Sequence, residues 1–152
     1  MILPSWSKAQ VLALNFTVEF ENSVKGEGHA EMAHRPTTIE ILEQAKTDHL
    51  NWQSRLTNAL NDKESIQREE LTTQHTCALG NWYAQVDVSE RQKPGFMRLT
   101  VPHEVFHTAL REAVEASLHG DKVKAKREGK IVRRQVEKVI RIINHILRHE
   151  GR

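Results

Sequence analysis

The stretch T-I-E-I-L-E-Q-A-K-T-D-H-L-N-W-Q-S-R-L-T-N-A-L at residues 38–60 decides the fold class. Its apolar side chains recur every three or four residues, which is the period of one helix face. That face carries Ile41, Leu42, Ala45, His49, Trp52, Leu56 and Leu60. Thr37 or Thr38 can cap the helix, and Glu40 or Glu43 lies in its first turns. The stretch therefore predicts an amphipathic helix from about Thr38 to Leu60.

Three further helices with short connections are predicted downstream. They run from about Thr73 to Val86, from between Phe96 and Val101 to His119, and from Lys122 to His149. N-D-K at 61–63 and R-Q-K-P-G at 91–95 break the chain, and Gly120 ends the third helix so that Asp121 can cap the fourth. We therefore predict an all-α fold in which residues 37–150 form an antiparallel four-helix bundle.

Residues 1–36 differ from the rest of the chain. Apolar side chains alternate along L-A-L-N-F-T-V-E-F at 12–20, which is the period of a strand. A single strand has no partner in a helical chain. The segment is therefore predicted either to pair with a second copy or to be a short helix. Residues 1–36 are thus a short extended or helical arm, and the first alternative makes the protein a homodimer.

Composition excludes several classes of protein. A chain of 152 residues with 38% apolar and 28% charged residues suits one globular domain, and it contains no apolar run of about 18 residues that would span a membrane. The N-terminus does not have the pattern of a secretory signal. The net charge of +2 is too small to predict a nucleic-acid partner, and the basic run at 122–134 has no interleaved aromatic residue. We read that run as a solvated face.

Four residues carry the chemistry: His49, Cys77, His103 and His107. Three imidazoles and one thiolate make a closed tetrahedral zinc set. His103 and His107 are four residues apart, so one helix face can present both rings to one ion. A single cysteine forms no internal disulfide, so it fits a metal ligand or a reducing, cytoplasmic compartment. Each ligand lies in a segment that is predicted to be helical, so the sequence predicts a Zn²⁺ site inside the bundle.

The sequence around these ligands resembles the chemoreceptor zinc-binding domain family of bacteria. The resemblance rests on H-L-N-W at 49–52, C-A-L-G-N-W at 77–82 and H-E-V-F-H at 103–107, which occur in order at suitable gaps. It implies a cytoplasmic four-helix zinc domain that senses zinc or an oxidant such as hypochlorous acid, for chemotaxis or cyclic-di-GMP signalling. It also implies a homodimer, a bacterial signalling partner and no catalytic activity. No receptor coiled coil or cyclase domain is recognisable, so we expect a stand-alone copy or a fragment.

Three residues around the predicted ligands have predicted supporting roles. Gly80 is expected to remove a side chain where two helices close around the site. Trp52 and Trp82 are expected to shield the ion from water.

Other interpretations of the same residues remain open. H-E-V-F-H at 103–107 also satisfies the zincin motif, in which Glu104 would be the general base of a metalloprotease. A catalytic zinc needs an open fourth position, which His49 and Cys77 would close. The zinc could instead be purely structural. His145 and His149 form a second pair four residues apart, which we predict to be exposed and structural.

Overall fold

The computed structural model describes residues 36–149, and within this range it contains helices and no strand. The helices are α1 (Thr38–Leu60), α2 (Ala78–Gln85), α3 (Val88–Arg91), α4 (Pro94–Leu118) and α5 (Lys122–His149), with a 3₁₀ helix at Arg68–Glu70. The predicted all-α bundle is confirmed, and α1 and α5 have the predicted bounds. The predictions for the N-terminal arm fall on residues 1–36. Residues 1–35 lie outside the described range. None of the described helices is long and apolar enough to cross a lipid bilayer.

A capping box starts α1. The backbone N–H of Thr37 donates to Glu40 Oε2 over 2.7 Å, and the backbone N–H of Glu40 donates to Thr37 Oγ1 over 3.2 Å. These two bonds satisfy amide hydrogens that the helix itself leaves without partners. Thr37, and not Thr38, is therefore the cap.

The second predicted helix is shorter than expected, because it begins at Ala78 and not at Thr73. The hydroxyl of Thr73 accepts from the backbone N–H groups of His75 and Thr76, both over 3.2 Å. Such bonds from a threonine side chain compete with helix formation and hold the chain in a turn. Cys77 consequently lies at the N-cap of α2 and not within a helix, which corrects the prediction for this ligand.

The third predicted helix begins earlier than expected, at Pro94. Proline is favoured at the first helical position, since its fixed φ suits a helix and it has no amide hydrogen to satisfy there. The predicted break at 91–95 is therefore confined to residues before Pro94. An additional short helix, α3, precedes this break. Asp87 caps α3, because its Oδ1 accepts from the Ser89 N–H over 2.8 Å.

The long helices α1, α4 and α5 bury two apolar clusters. One, the first cluster, contains Leu42, Ala45, Leu79, Phe96, Leu99, Val139, Ile143 and Ile146. The other, the second cluster, contains Leu56, Ile66, Phe106, Ala109, Leu110, Ala113, Val114, Val132 and Val136. Early residues of α1 thus meet late residues of α5, so these two helices are antiparallel. Early residues of α1 and α4 share a cluster, so those two are parallel. Along α1 and α4, the three histidines of the predicted site lie where the first cluster gives way to the second.

The segment between α1 and α2 is held against the bundle. Ile66 is 3% exposed within the second cluster. Arg55 of α1 donates to Glu64 and Glu70 of this segment, and Arg68 donates to Glu115 of α4 over 2.6 Å. These contacts bring residues 72–77 alongside the predicted ligands on α4.

Candidate metal centre

His49 is buried on the inner face of α1, and it is 3% exposed. Its Nδ1 lies 2.6 Å from the carbonyl oxygen of Ala45, one turn earlier. A carbonyl can only accept, so Nδ1 carries the proton and Nε2 keeps its lone pair. That Nε2 is buried and has no hydrogen-bond partner among the described residues. A buried nitrogen of this kind is costly unless it binds something.

His103 and His107 lie one turn apart on α4, and both are buried. Their Nε2 atoms are 3.1 Å apart. The Nδ1 of His107 lies 2.9 Å from the carbonyl oxygen of Thr72, so this ring also carries its proton on Nδ1 and presents the bare Nε2 inward. Metal-binding histidines are commonly oriented by such a bond from the opposite ring nitrogen.

The three imidazoles converge on one point. His49, His103 and His107 each offer a ring nitrogen, and these three atoms lie within 4.8 Å of one another. Zinc bonds of about 2.0–2.1 Å at tetrahedral angles place ligand nitrogens about 3.3 Å apart. The separation on α4 is close to that value, and the orphaned Nε2 of His49 completes the donor face. The three histidines therefore fit a metal ion.

Cys77 lies beside this group. Its Sγ is 3.3 Å from His103 Nε2, and it accepts from the backbone N–H of Gly80 over 3.3 Å as the N-cap of α2. A Cβ on Gly80 would stand 1.9 Å from the carbonyl oxygen of Gln74. Gly80 therefore lets α2 close against the turn before Cys77, whereas the sequence predicted a close approach of two helices.

Burial dominates the electrostatics of the site. It is the main cause that lowers the pKa of His49, and together with the neighbouring imidazoles it lowers the pKa of His103 to about 3 and of His107 to about 4. Burial also raises the pKa of the Cys77 thiol to about 11, against the Gly80 N–H, which lowers it. At neutral pH these shifts favour neutral rings and a protonated Cys77 sulfur. A bound divalent cation would favour the thiolate.

Phe106, which sequence reasoning did not single out, has its aromatic ring against two of the candidate ligands. Its ring lies 4.8 Å from that of His49 and 4.9 Å from that of His107. Trp52 packs on the second cluster and Trp82 on the first, where it lies 5.6 Å from Phe96. Shielding of an ion by the two tryptophans remains a prediction.

Comparison with known families matches the segment that holds these residues. The family model of the chemoreceptor zinc-binding domain matches residues 49–114. Residues 49–114 are a chemoreceptor zinc-binding domain. The matched segment begins at His49 and contains Cys77, His103 and His107. Searches among curated proteins and among solved structures found no significant match.

Sequence reasoning did not identify two backbone groups that orient the candidate ligands. The carbonyl of Ala45 could have been found, because it lies four residues before His49 on one helix. The carbonyl of Thr72 left no signal, because it precedes His107 by 35 residues. The Glu104 side chain is exposed and lines a groove between α4 and α5 with Glu128 and Ile131. A zincin general base would have to face the metal.

Proposed function

We propose that this chain is a cytoplasmic sensory domain that holds one Zn²⁺ through His49, Cys77, His103 and His107. The observation that carries the proposal is the orphaned, buried Nε2 of His49 facing the two rings of α4. The position of Cys77 Sγ beside His103 supports a fourth, thiolate ligand. The family match supports zinc as the metal and signalling as the role.

The residues of the chain suggest how a signal would arise. Bound zinc would keep Cys77 as a thiolate at neutral pH. Hypochlorous acid would transfer chlorine to that sulfur and release hydroxide, and water would then displace chloride to leave a sulfenic acid. The oxidised sulfur is a poorer ligand and a poorer acceptor for the Gly80 N–H. The start of α2 would then lose its attachment to α4.

The lengths and burial of the helices support α2 as the part that would respond before the rest of the bundle. It has eight residues, and only Leu79 and Gly80 within it are buried. The helices α1, α4 and α5 have 23, 25 and 28 residues and share the two apolar clusters. Segments with little buried apolar surface open at lower free energy than a core. If the signal is instead the presence or absence of bound zinc, the same contacts between α2 and α4 would respond.

The metalloprotease alternative predicts a different set of essential residues. In a zincin, His103 and His107 would bind zinc with a third ligand further along the chain, and His49 and Cys77 would be dispensable. The exposed position of Glu104 on the α4–α5 groove favours a non-catalytic domain.

Metal analysis of purified variants tests the proposal. We expect one zinc per chain in the wild type and in His119→Ala, which removes an exposed histidine at the end of α4. We expect strongly reduced zinc affinity in His49→Ala and in Cys77→Ala. Full zinc retention in both of these variants would reject the four-ligand site. Retention in Cys77→Ala alone would leave a three-histidine site and remove the thiolate sensor.

We also propose that the protein acts as a homodimer with a bacterial signalling partner, on the strength of the family resemblance and the alternating apolar pattern at 12–20. Sedimentation at micromolar concentration tests the dimer. A monomer that is unchanged on deletion of residues 1–36 would contradict it.

A further inference from the structure

A second pair of histidines lies at the end of α5, away from the ligands already described. His145 and His149 are four residues apart in the last two turns of the helix. Their rings lie 4.7 Å apart between centroids, with the planes tilted by 44°. His145 is half-buried and His149 is exposed, and neither ring has a hydrogen-bond partner among residues 36–149.

The pair on α4 provides an internal standard for this geometry. The rings of His103 and His107 have the same spacing along the chain and lie 4.8 Å apart, and their Nε2 atoms are separated by 3.1 Å. The two pairs therefore differ in centroid separation by only 0.1 Å. The ring planes are inclined at 79° in the α4 pair and at 44° in the α5 pair, so the α5 rings would have to rotate to offer two nitrogens to one ion. Imidazole is a ligand that divalent Ni, Cu and Zn accept readily.

The position at the helix end also favours a cation. The last carbonyls of α5 have no partners within the helix, and the C-terminal end of the helix dipole is negative. Arg148 lies in the same turn and opposes a cation. The site is open to solvent, so water would fill the remaining coordination positions.

We infer that His145 and His149 form a second, exposed and exchangeable binding site for a divalent transition-metal ion at the C-terminal end of α5. It differs from the buried centre because it supplies two ligands and not four, and because no thiolate takes part. Binding there is expected to be weaker, to exchange rapidly with solvent, and to proceed while the buried centre is filled. The inference does not depend on the proposed sensory role.

Nickel is a suitable probe, because it takes imidazole ligands and does not oxidise a thiolate. The zinc-loaded full chain would be titrated with Ni²⁺ by calorimetry, and paramagnetic broadening of backbone amide signals would locate the ion. We expect one Ni²⁺ to bind in addition to zinc and to broaden the signals of residues 144–149. His145→Ala and His149→Ala should each weaken binding by at least about tenfold, since the second imidazole binds as an intramolecular ligand.

His119→Ala is the matched control, because it removes another exposed histidine that has no second histidine four residues away. Its nickel affinity should equal that of the wild type, and all variants should keep their zinc content and helical circular dichroism. The inference is wrong if Ni²⁺ does not bind, or if the His145→Ala/His149→Ala double variant binds it with unchanged affinity. It is equally wrong if only one of the two single variants weakens binding.

Discussion

Substitution of Gly80 by alanine tests whether the close approach of α2 to the preceding turn positions Cys77. The added Cβ would stand 1.9 Å from the carbonyl oxygen and 2.8 Å from the carbonyl carbon of Gln74. Because an unstrained carbon–oxygen contact needs about 3.3 Å, the 1.9 Å approach requires a shift of about 1.4 Å. The obstacle is backbone, so no side-chain rotation can relieve it.

The shift would fall on the segment that carries Cys77. Cys77 lies three residues after Gln74 and three before Gly80, the two residues that clash. Metal–ligand distances tolerate only about 0.2 Å, so the sulfur cannot follow such a movement and still coordinate well. Overpacking of this kind costs about 1–3 kcal/mol. If that strain is released when the metal leaves, zinc affinity should fall by about 5- to 150-fold.

Competition with a chromophoric chelator measures the affinity, and the absorption of the cobalt-substituted protein reports whether the thiolate still binds. Gly129→Ala is the matched control, since its Cβ would approach only movable methyl groups, the Leu60 Cδ1 at 2.8 Å and the Leu56 Cδ2 at 4.0 Å. Alanine stabilises a helix over glycine by about 0.5–1 kcal/mol. If Gly80→Ala kept full zinc affinity and unfolded at a higher temperature, the structural reasoning would be refuted.

Three further outcomes are expected. The metal-free protein should lose stability as the pH falls from 6.5 towards 4 and 3, because the folded histidines resist protons that the unfolded chain accepts; urea unfolding at several pH values measures this. Phe106→Leu should weaken zinc binding as well as cost about 1–2 kcal/mol of stability, whereas Phe96→Leu in the first cluster should cost only stability. Mild hypochlorous acid should oxidise Cys77 before the methionines, release zinc and speed hydrogen exchange in α2, while α1 and α5 stay protected; mass spectrometry timed against a zinc-release dye follows the order.

Each of these outcomes has a counterpart that would contradict it. Stability that is unchanged between pH 7 and pH 4 would mean that the imidazoles are not buried in the metal-free fold. Equal zinc affinities for the two phenylalanine variants would mean that the Phe106 ring does not support the ligands. Zinc release that follows loss of the whole fold, or a normal oxidant response in Cys77→Asp, would make the metal a purely structural element.

The sequence alone determined the features that depend on neighbouring residues. The bounds of α1 and α5 follow from apolar periodicity and from end signals such as the Thr37–Glu40 capping box. The pairing of His103 and His107 follows from helix geometry, because residues four apart share a face. The ordered motif blocks identify the candidate ligands without any information on contacts between helices.

Only the tertiary structure decided how distant segments meet. Local hydrogen bonds of Thr73 and the contact between Gly80 and Gln74 place Cys77 at a helix cap, although its residue pattern suggests a helix interior. The carbonyl of Thr72 orients His107 across 35 residues of chain. Neither arrangement has a period or a spacing that a linear pattern can reveal. The orientation of His107 depends on packing of the segment between α1 and α2 against α4, and that packing is a property of the folded chain as a whole.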